Sequence, residues 1–208
     1  MGVTRSSATA RRRFDPERRQ RLALAALTVV AERGVEGLTH RAVARHANVP
    51  LGSTTYHYST LDDLLEAALR QSVSYWAEQM SAWAASLPEQ PNLALVLADL
   101  CLETLGSLRE RAVIHGELRI AALRRRRLRP LCAAADAMLL DVLRTHVDEL
   151  TARALAVTFT GLSTQALAAD EPLSHDEVEA IFRFVATREK DGRHGSRFRD
   201  GASAPNSQ

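Results

Sequence analysis

Apolar residues recur along most of this chain at three- and four-residue spacing, and strict alternation with polar residues never lasts beyond a few positions. That pattern predicts helices throughout and no strands. The first stripe is Leu22, Ala23, Ala26, Leu27 and Val30. It starts at Asp15-Pro16-Glu17, where Asp caps free amides, Pro fits the first turn and an acid suits the helix dipole, and it stops at Gly34. Thr39 is placed to cap a short second helix that turns Ala42, Val43 and Ala47 inward. Asn48 tolerates a left-handed turn, and Pro50 opens a third helix to about Tyr58. A longer helix followed by two short ones across a tight turn predicts a helix-turn-helix.

Beyond Thr60, another cap, Asp62 and Asp63 open a long helix over 61–87 whose stripe is Leu65, Leu69, Ser72, Val73, Trp76, Met80 and Trp83. At about 1.5 Å per residue it would span roughly 40 Å and join two domains rigidly. The same spacing predicts helices near 92–109, 111–125, 129–146, 149–169 and 174–187. The expected fold class is therefore all-α, with about nine helices. Its expected organisation is a flexible basic arm at 1–14, a helix-turn-helix at 15–60, a helical body at 61–187 and a disordered tail at 188–208. No internal repeat is visible.

A helical wheel over Pro50 to Tyr58 puts Thr54 and Tyr58 on the side that packs on the preceding helices. Gly52, Ser53 and Tyr56 lie opposite, flanked by Thr55 and His57, with Leu51 near the start. Gly allows close approach, Ser and Thr bond bases or phosphates or touch thymine methyls, and Tyr and His reach phosphate. Arg41, at the start of the preceding helix, has the reach for a guanine or a phosphate, and Thr39 completes the candidate DNA-binding set.

The run from Gly37 to Leu61, GLTHRAVARHANVPLGSTTYHYSTL, resembles the TetR/AcrR family, whose DNA-binding domain has a similar G-hydrophobic-T…A…AGVS-x-G-T-hydrophobic-Y-x-HF-x-x-K pattern. The resemblance covers about residues 17–65. It implies operator contacts at Arg41, Leu51, Gly52, Ser53, Thr55, Tyr56 and His57, a ligand-binding and dimerising helical body, and repression relieved by a small molecule. Three positions depart from the pattern: Pro50 replaces its Ser, the helix Tyr falls one place later at Tyr56, and its phosphate-binding Lys is Leu61. Phosphate affinity should then lean on Arg11, Arg12 and Arg13 and on the amides after Thr60.

The resemblance also implies a four-helix dimer interface from the last two long helices. Their patterns agree: the 149–169 helix has a Leu155, Phe159, Leu162, Ala166 stripe and a second one of Ala156, Thr160, Thr164 and Ala168. The 174–187 helix shows Val178, Ile181, Phe182 and Val185, with Phe184 elsewhere. Two apolar faces on one helix require two partners, so a homodimer on a palindromic operator is expected. Candidate ligand-binding residues are polar or aromatic members of apolar stripes: Trp76, Met80, Trp83, Cys101, Thr104, His115, Glu117, Phe159 and Gln165. Their few acids suggest a largely apolar small-molecule effector.

Charge and composition narrow the alternatives. The chain carries a net charge of +2, but its first 58 residues hold ten arginines against four acids, which points a polyanion-binding surface to the N-terminus. The run Arg124-Arg125-Arg126-Arg127 is read instead as cations suiting a helix C-terminus before Pro130. Two cysteines without CxxC spacing signal neither a disulfide framework nor zinc. No Gly-rich phosphate loop, HExxH or GxSxG is present, so an enzyme is not expected, nor a cofactor or metal. With no segment of about 20 apolar residues and no secretory leader pattern, a cytoplasmic protein is expected. The competing reading is a non-specific or architectural DNA binder, which would leave the helical body without a purpose.

Overall fold

A computed structural model describes residues 16–171 and 173–191. The expected arm with Arg11, Arg12 and Arg13 and the tail past Asp191 lie outside the described residues. Among those described, the chain forms nine α-helices and no strand: α1 (Pro16–Arg33), α2 (His40–His46), α3 (Leu51–His57), α4 (Leu61–Ser86), α5 (Leu93–Leu105), α6 (Arg109–Arg124), α7 (Arg129–Leu143), α8 (Glu149–Ala168) and α9 (His175–Asp191). Short 3-10 turns at Val35–Gly37 and Arg126–Leu128 follow α1 and α6.

Local chemistry sets most of these boundaries. Gly34 adopts φ 69°, a left-handed conformation that suits glycine, and its amide closes α1 on the Val30 carbonyl at 2.8 Å. Thr39 Oγ1 accepts from Ala42 N at 3.0 Å, and Thr60 Oγ1 from Asp63 N at 3.1 Å. Asn48 is the one non-glycine residue with positive φ, 51°, among those described, and it makes the turn between α2 and α3. Asp148 caps α8 by accepting from the amides of Leu150 and Thr151 and from the Thr151 hydroxyl.

Other boundaries differ from the pattern. Helix α7 stops at Leu143, because the Arg144–Val147 segment closes back on Leu140, Val142 and Leu143 in turns. Helix α9 runs to Asp191, past the expected start of the tail. Only Arg124 of the arginine run ends α6; Arg125 and Arg127 instead cross to the first turns of α4. There Arg125 Nε donates to Asp62 Oδ1 at 3.3 Å, and Arg127 donates to Glu66 Oε2 at 2.7 Å and Asp63 Oδ1 at 2.8 Å.

Two apolar cores result. The first joins Leu22, Val30 and Val43 with Leu64, Leu65 and Leu69 of α4 and Ile114 and Leu118 of α6. The second gathers Met80, Leu97, Leu143, Leu155, Val178 and Phe182 from α4, α5, α7, α8 and α9. The helix-turn-helix core therefore does not close at residue 60 but continues through the first half of α4. At 26 residues, α4 extends about 39 Å and contributes one end to each core.

Candidate nucleic-acid interface and ligand cavity

Helix α3 is anchored by one face and open on the other. Thr54 is fully buried and donates to the Leu51 carbonyl at 2.7 Å. Tyr58, which ends the helix, is buried and donates to the Arg19 carbonyl of α1 at 3.1 Å, while the Arg19 guanidinium lies 5.1 Å from its ring centre. The Tyr58 contacts tie the end of the helix to α1. The outward face carries Leu51, 44% exposed, with Gly52, Thr55 and Tyr56, the last 65% exposed. Ser53 and His57 are half-buried beside them, and the rings of Tyr56 and His57 meet edge to face at 5.2 Å. A Cβ at Gly52 would meet nothing within 4 Å, so this turn leaves room for close approach of a surface. Thr39 and Arg41 are exposed on α2, with the Thr39 hydroxyl engaged as the cap.

The start of α4 is less suited to phosphate than its amides suggested. Leu61 is exposed there, but Asp63 N is taken by the Thr60 hydroxyl and the first turn carries Asp62 and Asp63. Arg127 and Thr60 hold the Asp63 carboxyl down to about 2, so it stays charged. Arg125 and Arg127 compensate these acids, so the Thr60 cap, which occupies the Asp63 amide, is what limits the turn as a phosphate site.

A cavity of about 440 Å³ lies between the two cores, walled by α4, α5, α6, α7 and α8. Of the nine candidate ligand residues it brings together Trp76, Thr104, His115 and Phe159. The other five do not line it. Met80 is buried in the second core and Trp83 packs against it, one turn further along α4. Cys101 faces Ser163 at 3.7 Å, Sγ to Oγ, and burial raises its thiol pKa. Gln165 points to solvent from α8. Glu117 lies on a different face of α6 from His115, and its carboxylate accepts from Val35 N at 2.9 Å, just beyond α1. It also sits 3.4 Å from where a Gly34 Cβ would be.

Besides Thr104 and His115, the cavity wall carries charged groups that the apolar stripes do not mark. Arg119 grips Asp136 through both terminal nitrogens of its guanidinium and reaches the Thr160 hydroxyl at 3.4 Å. The Arg111 guanidinium lies 3.3 Å above the centre of the Tyr75 ring. His115 sits beside Trp76, with ring centres 6.2 Å apart, and its buried Nε2 has no hydrogen-bond partner. Burial, reinforced by the Arg119 charge and only partly offset by Asp136, lowers its pKa to about 4, so the imidazole is neutral at pH 7. No local signal marks Arg119 and Asp136, which lie 17 residues apart on separate helices.

No group of three metal-binding side chains occurs among the described residues. Nor is any described helix long and apolar enough to cross a membrane. A short helix with one face buried and the other open, seated on one end of a helical body, is the architecture of a helix-turn-helix DNA-binding regulator.

Comparison with known proteins agrees. The multidrug binding protein EbrR, solved with imidazole, is 42% identical, with a TM-score of 0.73 over 88% of this chain and 96% of that one. A TetR-family member from Streptomyces coelicolor A3 is 41% identical, with a TM-score of 0.73 over 82% of this chain and 98% of its own. The HTH-type transcriptional regulator PksA of Bacillus subtilis (strain 168) is 39% identical over 54 residues, so the match spans about a quarter of that relative, 26%. No family model matches the chain. The chain belongs to the TetR family of transcriptional regulators.

Proposed function

We propose that this protein is a cytoplasmic, non-enzymatic repressor that binds a palindromic operator as a homodimer and leaves it when a small molecule fills the cavity. The observation that carries the DNA half is α3, buried at Thr54 and Tyr58 and open along Leu51, Gly52, Thr55 and Tyr56. In this reading Thr39, Arg41, Ser53 and His57 complete the contact set, with α3 in the major groove. The ligand half is supported by the cavity and by the relatives solved as EbrR complexes with proflavin and ethidium, at 40% and 41% identity.

Dimerisation is supported by apolar side chains left outward on α8 and α9: Leu150, Val157, 67% exposed, and Phe184, 65% exposed. Burying such a face against its copy would set two recognition helices about 34–36 Å apart, one helical turn of DNA.

Two helices link the cavity to the reading head. Helix α6 faces the cavity with His115 and Arg119 while Glu117 holds Val35, and α4 faces it with Tyr75 and Trp76 while Leu64 and Leu65 sit in the first core. A ligand that favours a shifted position of either helix would move the two recognition helices out of register with successive grooves.

The test is a mobility shift of the full chain on DNA from upstream of its own gene. A complex that survives excess scrambled DNA and needs both half-sites supports the reading. Equal affinity for all sequences, with a steep salt dependence, would favour an architectural DNA binder instead.

A further inference from the structure

We infer that the cavity selects an organic anion, a flat apolar body carrying one carboxylate-like group, and that Arg111 is the residue that meets the negative charge. This rests on the ligand-responsive reading above and narrows it to a ligand class.

The charges on the cavity wall carry the inference. Three guanidiniums line it, those of Arg111, Arg119 and Arg153, against a single carboxylate, Asp136. That carboxylate is already held by both terminal nitrogens of Arg119, so an entering cation finds no uncommitted acid. Arg153 is likewise committed, donating to Glu149, which lies outside the wall. Arg111 differs from both. Its guanidinium is stacked on Tyr75, and no carboxylate among the described residues pairs with it.

At 3.3 Å from the ring centre a guanidinium fits only face to face, which keeps its N–H edges in its own plane and available to a planar acceptor. Arg111 is exposed, so it stands at the opening, whereas Phe159 and Thr104 are buried deeper. The arrangement therefore orders a ligand by polarity, with the anionic group at the opening on Arg111 and the apolar body inward between Trp76 and Phe159. The neutral imidazole of His115 adds no competing charge within. The dyes held by EbrR are organic cations, so the two proteins would differ in ligand charge despite their similarity.

Calorimetric titration of the full chain with three probes sharing one ring system tests this: 1-naphthaleneacetate, the neutral 1-naphthaleneacetamide and the cationic 1-naphthylmethylammonium. The expected order is anion tightest, then amide, then cation, with the anion at least about tenfold ahead of the amide, as a charge-assisted hydrogen bond provides. In Arg111→Gln the anion's advantage over the amide should vanish, and Arg111→Lys should restore part of it. Wild-type protein that binds the amide or the cation as tightly as the anion overturns the inference without any variant, as does an anion preference that survives in Arg111→Gln. If none of the three binds at millimolar concentration, the inference fails together with the ligand-responsive reading. A sequence-specific operator complex would still stand, because it is measured without a probe.

Discussion

Helix α3 and the cavity are built from opposite materials. On α3 the residues offered to a partner are outside, and the scaffold is set mostly by nearby residues, the Thr54 bond, the Thr39 cap and the Asn48 turn, with Tyr58 reaching back to α1. In the cavity the central polar pair is set across helices, Arg119 of α6 by Asp136 of α7 and Thr160 of α8. The reading head therefore presents a surface whose side chains can change without unfolding the protein. The cavity instead holds a histidine that burial keeps neutral.

The sharpest way to break this contrast is at the anchor of α3. Tyr58→Ala removes a buried ring and its bond to Arg19, so it should cost about 3–5 kcal/mol by chemical denaturation and abolish operator binding with it. A value below about 1 kcal/mol would mean that α3 is not seated through this residue.

The buried histidine should appear in the pH dependence of stability. The unfolded chain protonates His115 near its ordinary value of 6.5, whereas the folded chain resists until about 4. Between those values the unfolded state binds more protons. Stability should therefore be full above about pH 6.5 and fall as pH drops toward 4, by up to about 3 kcal/mol. Asp63 and Glu149, both lowered to about 2 by their arginine partners, lose their contributions only at lower pH, as it falls from their ordinary values toward 2. The Phe variant of His115 should flatten the higher window alone; an unchanged profile would show that this histidine is not the group responsible.

The smallest effect on stability belongs to the open face. Tyr56→Ala should shift the unfolding free energy by no more than about 0.5 kcal/mol, because the ring is mostly in water. Operator affinity should nevertheless fall about tenfold. Loss of both together would show that the face is structural.

The same contrast explains what the sequence discloses. Caps, turn residues and a seven-residue helix are read from neighbours in the chain, so the all-helical fold and the head were legible from Thr39, Asn48 and Pro50. Trp76, Thr104, His115 and Phe159 were legible as polar or aromatic residues in apolar stripes, yet the same rule also picked Met80 and Cys101, which are ordinary core. Periodicity says that a residue faces inward, not whether a gap or a packed side chain awaits it. Tyr75 lies one residue off the stripe of α4, and Arg111 as a charged residue on a helix reads as solvated, so neither is marked by periodicity. The role of Arg125 and Arg127 required the fold, since their partners on α4 lie about 60 residues earlier.

The central claim is that an anchored α3 reads DNA as one of a symmetric pair. The most direct measurement is a DNase I footprint of the full chain on its upstream DNA. The expected result is protection of two inverted half-sites about one helical turn apart, requiring about tenfold more protein for a Tyr56→Ala variant that remains folded. Continuous protection without a boundary, unchanged by that substitution, would contradict it.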